Sequence, residues 1–223
     1  MSDVIRATRG GRKLRTERCL FVEKPGTGDV SGSTTILSQA TRLRQQGEFD
    51  QAERLLRRLI RQVPDDVEGW HLLGLVRHDQ FDFSDAHQCL SRAIELAPAR
   101  ADLYRDLGAI HLDAGLFDEA LDNLQQAVHL APQDPGLHHS LGLVLLQYGN
   151  LLGSRLRLQQ AIRLDPRSTD AWYHLGLCCQ QQGDLESAVV CFRRVAELRP
   201  DHPEAPAQIR RLEDLLERRG EAA

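Results

Sequence analysis

The chain has 223 residues, of which 41% are hydrophobic and 5% aromatic, and this is enough apolar material for one large domain or an extended array with a continuous core. The net charge is −4, but residues 1–32 carry seven basic and four acidic residues, which leaves −7 for the rest and argues against a body that coats nucleic acid. No apolar run approaches the roughly 18 residues that cross a bilayer, so we expect a soluble, cytoplasmic protein without a membrane span.

The first 32 residues show no internal period. Their basic residues include Arg6, Arg9, Arg12, Lys13, Arg15 and Arg18. The following stretch "EKPGTGDVSGSTT" has the composition of a flexible link. We therefore expect residues 1–32 to form a disordered basic arm and linker. Contact of this arm with RNA, DNA or an anionic membrane surface stays open beside the interpretation as a solvated tail.

From residue 33 onward the sequence repeats itself every 34 residues. Prolines recur at this interval at Pro64, Pro98, Pro132, Pro166 and Pro200. Glycines recur at the same interval at Gly74, Gly108, Gly142 and Gly176, with Ala40 one period earlier. Within each period apolar residues follow helical spacing, in two runs, and this pattern predicts two amphipathic helices per unit.

Small residues mark the turn and the crossing point of each predicted helix pair. Gly47, Gly115, Gly149 and Gly183 lie between the two helices, where a residue able to adopt positive φ ends the first one. Phe81 holds that place in the second unit, so we expect its turn to close differently. Gly108 and Ala120 lie on opposite helices of one unit, which predicts that the two helices approach closely there.

These positions resemble the tetratricopeptide repeat. The second unit carries the family's motif as Trp70, Leu73-Gly74, Ala86, Leu90, Ala93 and Pro98. The resemblance implies an all-α, right-handed solenoid of five repeats. Their expected bounds are 33–66, 67–100, 101–134, 135–168 and 169–202. Residues 203–223 contain one more amphipathic pattern, "APAQIRRLEDLLERR", which we expect to cap the end of the stack.

The resemblance also implies a binding surface, because in this family the first helix of each pair lines a concave groove. Carried onto this sequence, the groove positions are His71, Leu75, His78, Arg105, Ala109, Leu112, His139, Leu143, Leu146, Tyr173, His174, Leu177 and Gln180. They give an apolar floor with imidazole and arginine edges, suited to an amphipathic helix or an extended peptide. The alternative is that Leu75, Leu143 and Leu177 only pack against neighbouring repeats.

The charge of the groove suggests the chemistry of its partner. Glu68, Asp79, Asp102, Asp106 and Asp113 also belong to first helices. A protein or peptide partner with apolar and basic residues would suit such a groove, unless these carboxylates are merely solvated. The lysine clamp that binds C-terminal carboxylates in some family members is excluded, because the repeat region contains no lysine.

Catalytic and metal chemistry are not expected. The sequence offers no nucleophile, base and oxyanion set, and we expect no cofactor. His174 and Cys178 have a chelating i, i+4 spacing, but two ligands do not make a metal site. Histidines near Asp106 or Asp113 are instead expected to change charge between pH 5 and 8. The five cysteines lack a CxxC pair, which indicates reduced thiols.

The sequence therefore predicts a non-enzymatic adaptor or scaffold that binds a protein segment. Two alternatives stay open. One is a regulatory or targeting module that works with a separate glycosyl- or sulfotransferase. The other is a helical-repeat RNA binder, which the charge of −7 disfavours. Self-association is also open, because the groove or an incomplete first repeat could accept a second copy.

Overall fold

The computed structural model describes residues 30–221, and this part of the chain is folded into eleven α-helices without a strand. The helices are α1 (Val30–Gln45), α2 (Phe49–Gln62), α3 (Val67–Asp79), α4 (Phe83–Leu96), α5 (Ala101–Asp113), α6 (Phe117–Leu130), α7 (Pro135–Gln147), α8 (Leu151–Leu164), α9 (Thr169–Gln181), α10 (Leu185–Leu198) and α11 (Ala205–Glu221). The predicted all-α solenoid is confirmed. None of these helices is both long and apolar enough to span a membrane.

The helices form five antiparallel pairs, α1 with α2 through α9 with α10, and α11 packs on α10. The basic arm predicted for residues 1–32 lies almost entirely outside the described residues. Its last residues are described, and they are helical: α1 begins at Val30, inside the segment expected to be a linker.

Local sequence signals set the helix boundaries. The Asp66 side chain accepts a hydrogen bond of 2.7 Å from the Gly69 amide at the start of α3. Asp134 likewise caps α7, with Pro135 at the first helical position. These caps satisfy amides that have no partner within the helix.

An aromatic ring near the start of three first helices ties consecutive repeats together. The Trp70 indole donates to the Pro64 carbonyl at 2.8 Å, and the Trp172 indole donates to the Pro166 carbonyl at 3.0 Å. His138 takes this place in the fourth repeat, with its Nε2 2.9 Å from the Pro132 oxygen. A ring nitrogen at this position thus replaces the indole that the family pattern would supply.

Small residues allow the two helices of a pair to cross closely, as predicted. A Cβ atom added at Gly108 would lie 2.9 Å from Leu124 Cγ, and one at Gly142 would lie 2.8 Å from Leu158 Cγ. Ala120 is fully buried at the same crossing. The glycines therefore create the room that the leucines of the second helices fill.

The turn at Phe81 contradicts the sequence prediction. Phe81 adopts φ 63°, close to the 77° of Gly115 in the next repeat. Its amide donates to the His78 carbonyl at 2.8 Å, and the Gly115 amide donates to the Leu112 carbonyl at 2.9 Å. The prediction of a different closure was wrong because the left-handed conformation is strained, not forbidden, for a residue with a Cβ. The Phe81 side chain points outward and is 80% exposed.

The stack curves toward its first helices. Successive first helices contact one another, from α1 with α3 to α7 with α9, whereas successive second helices in the described part make no comparable set of contacts. The first helices α1, α3, α5, α7 and α9 therefore line the concave face. Gaps open between the second helices on the convex side.

Candidate protein-binding groove

All thirteen predicted groove residues lie on the first helices α3, α5, α7 and α9, but one of them is buried. Leu146 is 7% exposed and belongs to the same core cluster as Leu158, Leu175 and Cys178. The predicted role of Leu146 in binding is therefore wrong. An apolar side chain at the end of α7 gains more from covering the next repeat than from facing solvent.

A largely apolar cavity of about 200 Å³ opens on the groove between α5 and α7. Its lining residues are Arg105, Asp106, Ala109, Leu112, Leu124, Ser140, Leu143 and Val144. Ala109 is exposed and too small to cover the floor formed by the leucines. Four predicted residues, Arg105, Ala109, Leu112 and Leu143, are thus brought together around a space open to a partner's side chain.

Polar residues of the concave face pair across neighbouring repeats at a separation of 35 residues. His71 Nε2 lies 2.7 Å from Asp106 Oδ2, and His78 Nε2 lies 2.7 Å from Asp113 Oδ2. Two further pairs of the same separation join Arg44 Nε to Asp79 Oδ2 at 2.5 Å and His139 Nε2 to His174 Nδ1 at 2.9 Å. We call these four pairs the concave ladder. The histidines predicted to face a partner are therefore already engaged with the next repeat.

The carboxylates of the early groove are largely neutralised within the protein. Asp106 is 15% exposed, and burial alone would raise its pKa. Hydrogen bonds from His71 and Arg105 outweigh burial and hold the pKa of Asp106 below its ordinary value. Arg100 binds both Asp102 and Glu68. Arg100 and Arg105 thus offset part of the negative charge that the sequence predicts for this groove.

The two histidines of the last ladder pair have different hydrogen-bonding roles. His174 Nδ1 lies 2.8 Å from the Asp170 carbonyl oxygen, which can only accept, so this nitrogen carries the hydrogen and His139 Nε2 is the acceptor. Burial, and then the charge of His174, lowers the pKa of His139. Because an imidazole nitrogen is either donor or acceptor, the pair at 2.9 Å requires one unprotonated nitrogen. Protonation of both rings would break this contact between α7 and α9.

Tyr173 supports the end of the stack. Its hydroxyl bonds the carboxylate of Glu204, and its ring centroid lies 5.5 Å from that of Phe192 and 5.0 Å from that of His202. Burial, together with the bond to Glu204, raises the pKa of Tyr173 to about 12. Tyr173 therefore positions the segment before α11, a role that sequence reasoning missed.

The other predicted residues are half-buried at the rim of the concave face. Leu177 packs against the C-terminal core, as the alternative interpretation proposed for it. Leu75 and Gln180 are half-buried, and Gln180 Oε1 has no hydrogen-bond partner among the described residues.

No metal site forms from the spacing of His174 and Cys178. The Cys178 thiol is buried and donates to the Leu151 carbonyl at 3.2 Å, away from His174. Within residues 30–221 no three histidine, cysteine, aspartate or glutamate side chains converge on a point.

Comparison with known proteins identifies the repeats. Three models described as tetratricopeptide repeat match residues 35–76, 79–135 and 169–202. None of the curated proteins matches the chain by sequence.

Solved structures share the architecture. MamA is 26% identical with a TM-score of 0.64, and the match covers 71% of this chain and 93% of MamA. PilF of Pseudomonas aeruginosa is 17% identical with a TM-score of 0.75, covering 85% of this chain and 86% of the other. YrrB, described as a TPR protein with an unusual peptide-binding site, is 21% identical with a TM-score of 0.62, covering 77% of this chain and 89% of YrrB. The family models together match more than half of the sequence, and the chain belongs to the tetratricopeptide repeat family.

Proposed function

We propose that this protein is a non-enzymatic adaptor whose concave groove binds a segment of a partner protein. The observation that supports the proposal most is the cavity of about 200 Å³ between α5 and α7. A partner's apolar side chain would fill it against Leu112 and Leu143, and desolvation of both surfaces would supply most of the affinity. YrrB, a solved structure of the same fold, is a TPR protein with an unusual peptide-binding site.

The structure refines the partner's expected chemistry. Arg105 lies at the cavity rim and donates to Asp106 at 2.9 Å, so a carboxylate is available there only as part of an ion pair. The apolar anchor therefore contributes more than charge, and a basic residue beside the anchor would set register. A cytoplasmic location remains an expectation from the sequence.

Selection from a random peptide library displayed on phage tests this proposal with the full chain. We expect the selected peptides to share an apolar residue next to Lys or Arg. The variant Ala109→Trp, which fills the cavity, should reduce their affinity at least tenfold. The matched control Gln125→Trp places the same side chain on an exposed position of α6 and should leave affinity unchanged. Equal affinity for the wild type and Ala109→Trp would contradict the proposal.

A further inference from the structure

Exposed apolar side chains run along the edge of the solenoid where first helices turn into second helices. This turn edge comprises the exposed Phe81, Leu116 and Tyr148 and the half-buried Phe83 and Phe117. Phe81, Tyr148 and Leu116 are 80%, 54% and 45% exposed. The rings of Phe81 and Phe83 have centroids 6.3 Å apart, and those of Phe117 and Tyr148 are 6.2 Å apart. The edge is thus apolar across the second, third and fourth repeats.

A cavity of about 360 Å³ opens beside this edge, between α4 and α6. Phe83, Ile110, Ala114 and Leu116 form its apolar wall. His87 and His111 contribute a polar wall, with Nδ1 of the first 2.9 Å from Nε2 of the second. The cavity has room for a large apolar side chain from another molecule.

The opposite edge, where one repeat passes to the next, has a different composition. Its turns expose prolines, each followed by a polar residue at 64–65, 132–133 and 166–167 and by alanine at 98–99. None of the exposed large hydrophobic residues of the described chain lies in these four turns. The turns within repeats 2 to 4 of the described chain therefore expose large apolar side chains that the turns between repeats lack, although helix residues such as Leu152 are exposed as well.

Phe81 adds a second observation. It is a non-glycine residue with φ 63°, and strained residues of this kind concentrate at functional sites. Core packing does not account for the aromatic side chain, because it is mostly exposed. Its position suits contact with another molecule.

The surroundings of the turn edge are acidic. Helix α6 starts at this edge and carries Asp118, Glu119 and Asp122 but no lysine or arginine. None of these three carboxylates forms an ion pair with a residue of the described chain. Unpaired negative charge therefore flanks the apolar strip.

We propose that the turn edge docks an amphipathic segment of a partner protein that presents apolar side chains flanked by lysine or arginine. The apolar side chains cover Phe81, Leu116 and the cavity, and the cations face Asp118, Glu119 and Asp122. The same carboxylates repel an anionic membrane surface. This surface is separate from the concave groove, so the two sites can be occupied independently.

The probe for this proposal is a fluorescein-labelled, 18-residue amphipathic peptide of leucine and lysine, titrated with the full chain and followed by anisotropy. We expect saturable binding. The matched peptide with glutamate in place of lysine should bind at least tenfold more weakly, because its charge is repelled. Equal binding of both peptides would overturn the charge complementarity on which the proposal depends.

The variant Phe81→Gly removes the aromatic contact while relieving the strained turn, so loss of binding cannot be attributed to unfolding. We expect at least fivefold weaker binding. The control Leu215→Ser, at an exposed apolar residue of α11, should change binding less than twofold. Wild-type affinity in Phe81→Gly would overturn the proposal.

The variant Ala109→Trp separates this site from the groove. Because the leucine–lysine probe also has the chemistry expected of a groove ligand, this variant isolates the turn edge: we expect it to retain one saturable binding site, and Phe81→Gly in the same background should weaken that site at least fivefold. Loss of binding in Ala109→Trp, with Phe81→Gly unaffected, would place the probe in the groove and overturn the turn-edge proposal while leaving the proposed function standing. The chain's own basic arm is the alternative occupant of the turn edge. If the probe binds only after Arg12, Lys13 and Arg15 are replaced by glutamate, the arm occupies this surface in the wild type, and the proposal of an external partner is overturned.

Discussion

Glycine recurs at two places in the repeats, inside the helix pair and at the turn that closes it, and the two places exclude side chains for different reasons. At Gly74, Gly108, Gly142 and Gly176 an added Cβ would lie within 3.0 Å of a side chain on the facing helix. At Gly47, Gly115, Gly149 and Gly183 an added Cβ would meet no atom within 4 Å outside the adjoining backbone, but φ is between 77° and 84°. The interior glycine is required by lack of space and the turn glycine by backbone conformation.

The exceptions show how strict each requirement is. Phe81 takes the turn position with the same geometry as glycine, because the flanking helices fix the backbone and local strain is the only penalty. Ala40 takes the interior position in the first repeat and is fully buried, so one methyl group fits where the facing helix allows it. A larger side chain is absent from the interior position of all five repeats. Space is therefore the stronger constraint.

The largest effect is expected inside the helix pair. Gly142→Val should lower the free energy of unfolding by about 3 kcal/mol, because the side chain would overlap Leu158. Gly142→Ala should lose much less, since a gain of about 1 kcal/mol in helix propensity offsets part of the crowding. Urea unfolding followed by circular dichroism measures both. Equal stability of the two variants would show that space is not the constraint.

A smaller loss is expected when the turn is given a side chain. Gly115→Phe reproduces the second turn in the third repeat and should lower the free energy of unfolding by about 1–2 kcal/mol, the strain of a left-handed residue. The same urea titration measures it. A loss as large as that of Gly142→Val would mean that the turn is as restrictive as the interior.

The reverse change should stabilise the protein. Phe81→Gly removes the strain and little buried surface, so the free energy of unfolding should rise by about 1 kcal/mol. The rise in the thermal midpoint provides the measurement, with Leu152→Ala as a control that changes an equally exposed side chain on a helix at ordinary φ. A fall in the midpoint would show that the Phe81 ring packs more than its exposure indicates.

The smallest effect is expected at the His139–His174 contact between α7 and α9, where neither glycine constraint acts. Burial and His174 lower the pKa of His139 in the folded chain, so the unfolded chain binds more protons as pH falls below about 6.5. The pair should therefore contribute less stability at pH 5 than at pH 7. Unfolding midpoints of the wild type and His139→Gln, compared at both pH values, isolate this site. A difference that does not change with pH would exclude the lowered pKa.

The period of 34 residues was sufficient to predict the helix pairs, their close crossing and the family. It could not predict the burial of Leu146. The position of a residue in the repeat fixes where its side chain leaves the helix, but not whether an apolar side chain packs against the next repeat instead of facing solvent. It also gave the wrong conformation for the turn at Phe81. The preference for glycine at this position reports the energy of the left-handed conformation and does not determine which conformation the turn adopts. The concave ladder had a signal in the sequence, a separation of one period plus one residue, which becomes meaningful only when consecutive first helices are known to lie side by side.

The concave ladder also specifies the order in which the repeats can be stacked. His71 and His78 meet Asp106 and Asp113 only if the third repeat follows the second. Without residues 101–134, the same histidines would face Ser140 and Gln147, which carry no charge. Repeats that have similar cores are thus distinguished by the polar pairs of the concave ladder. During folding, these pairs favour the correct neighbouring repeat over an equally apolar but wrong one. Loss or duplication of a single repeat in the gene would first disrupt the polar pairs between the repeats on either side of the change.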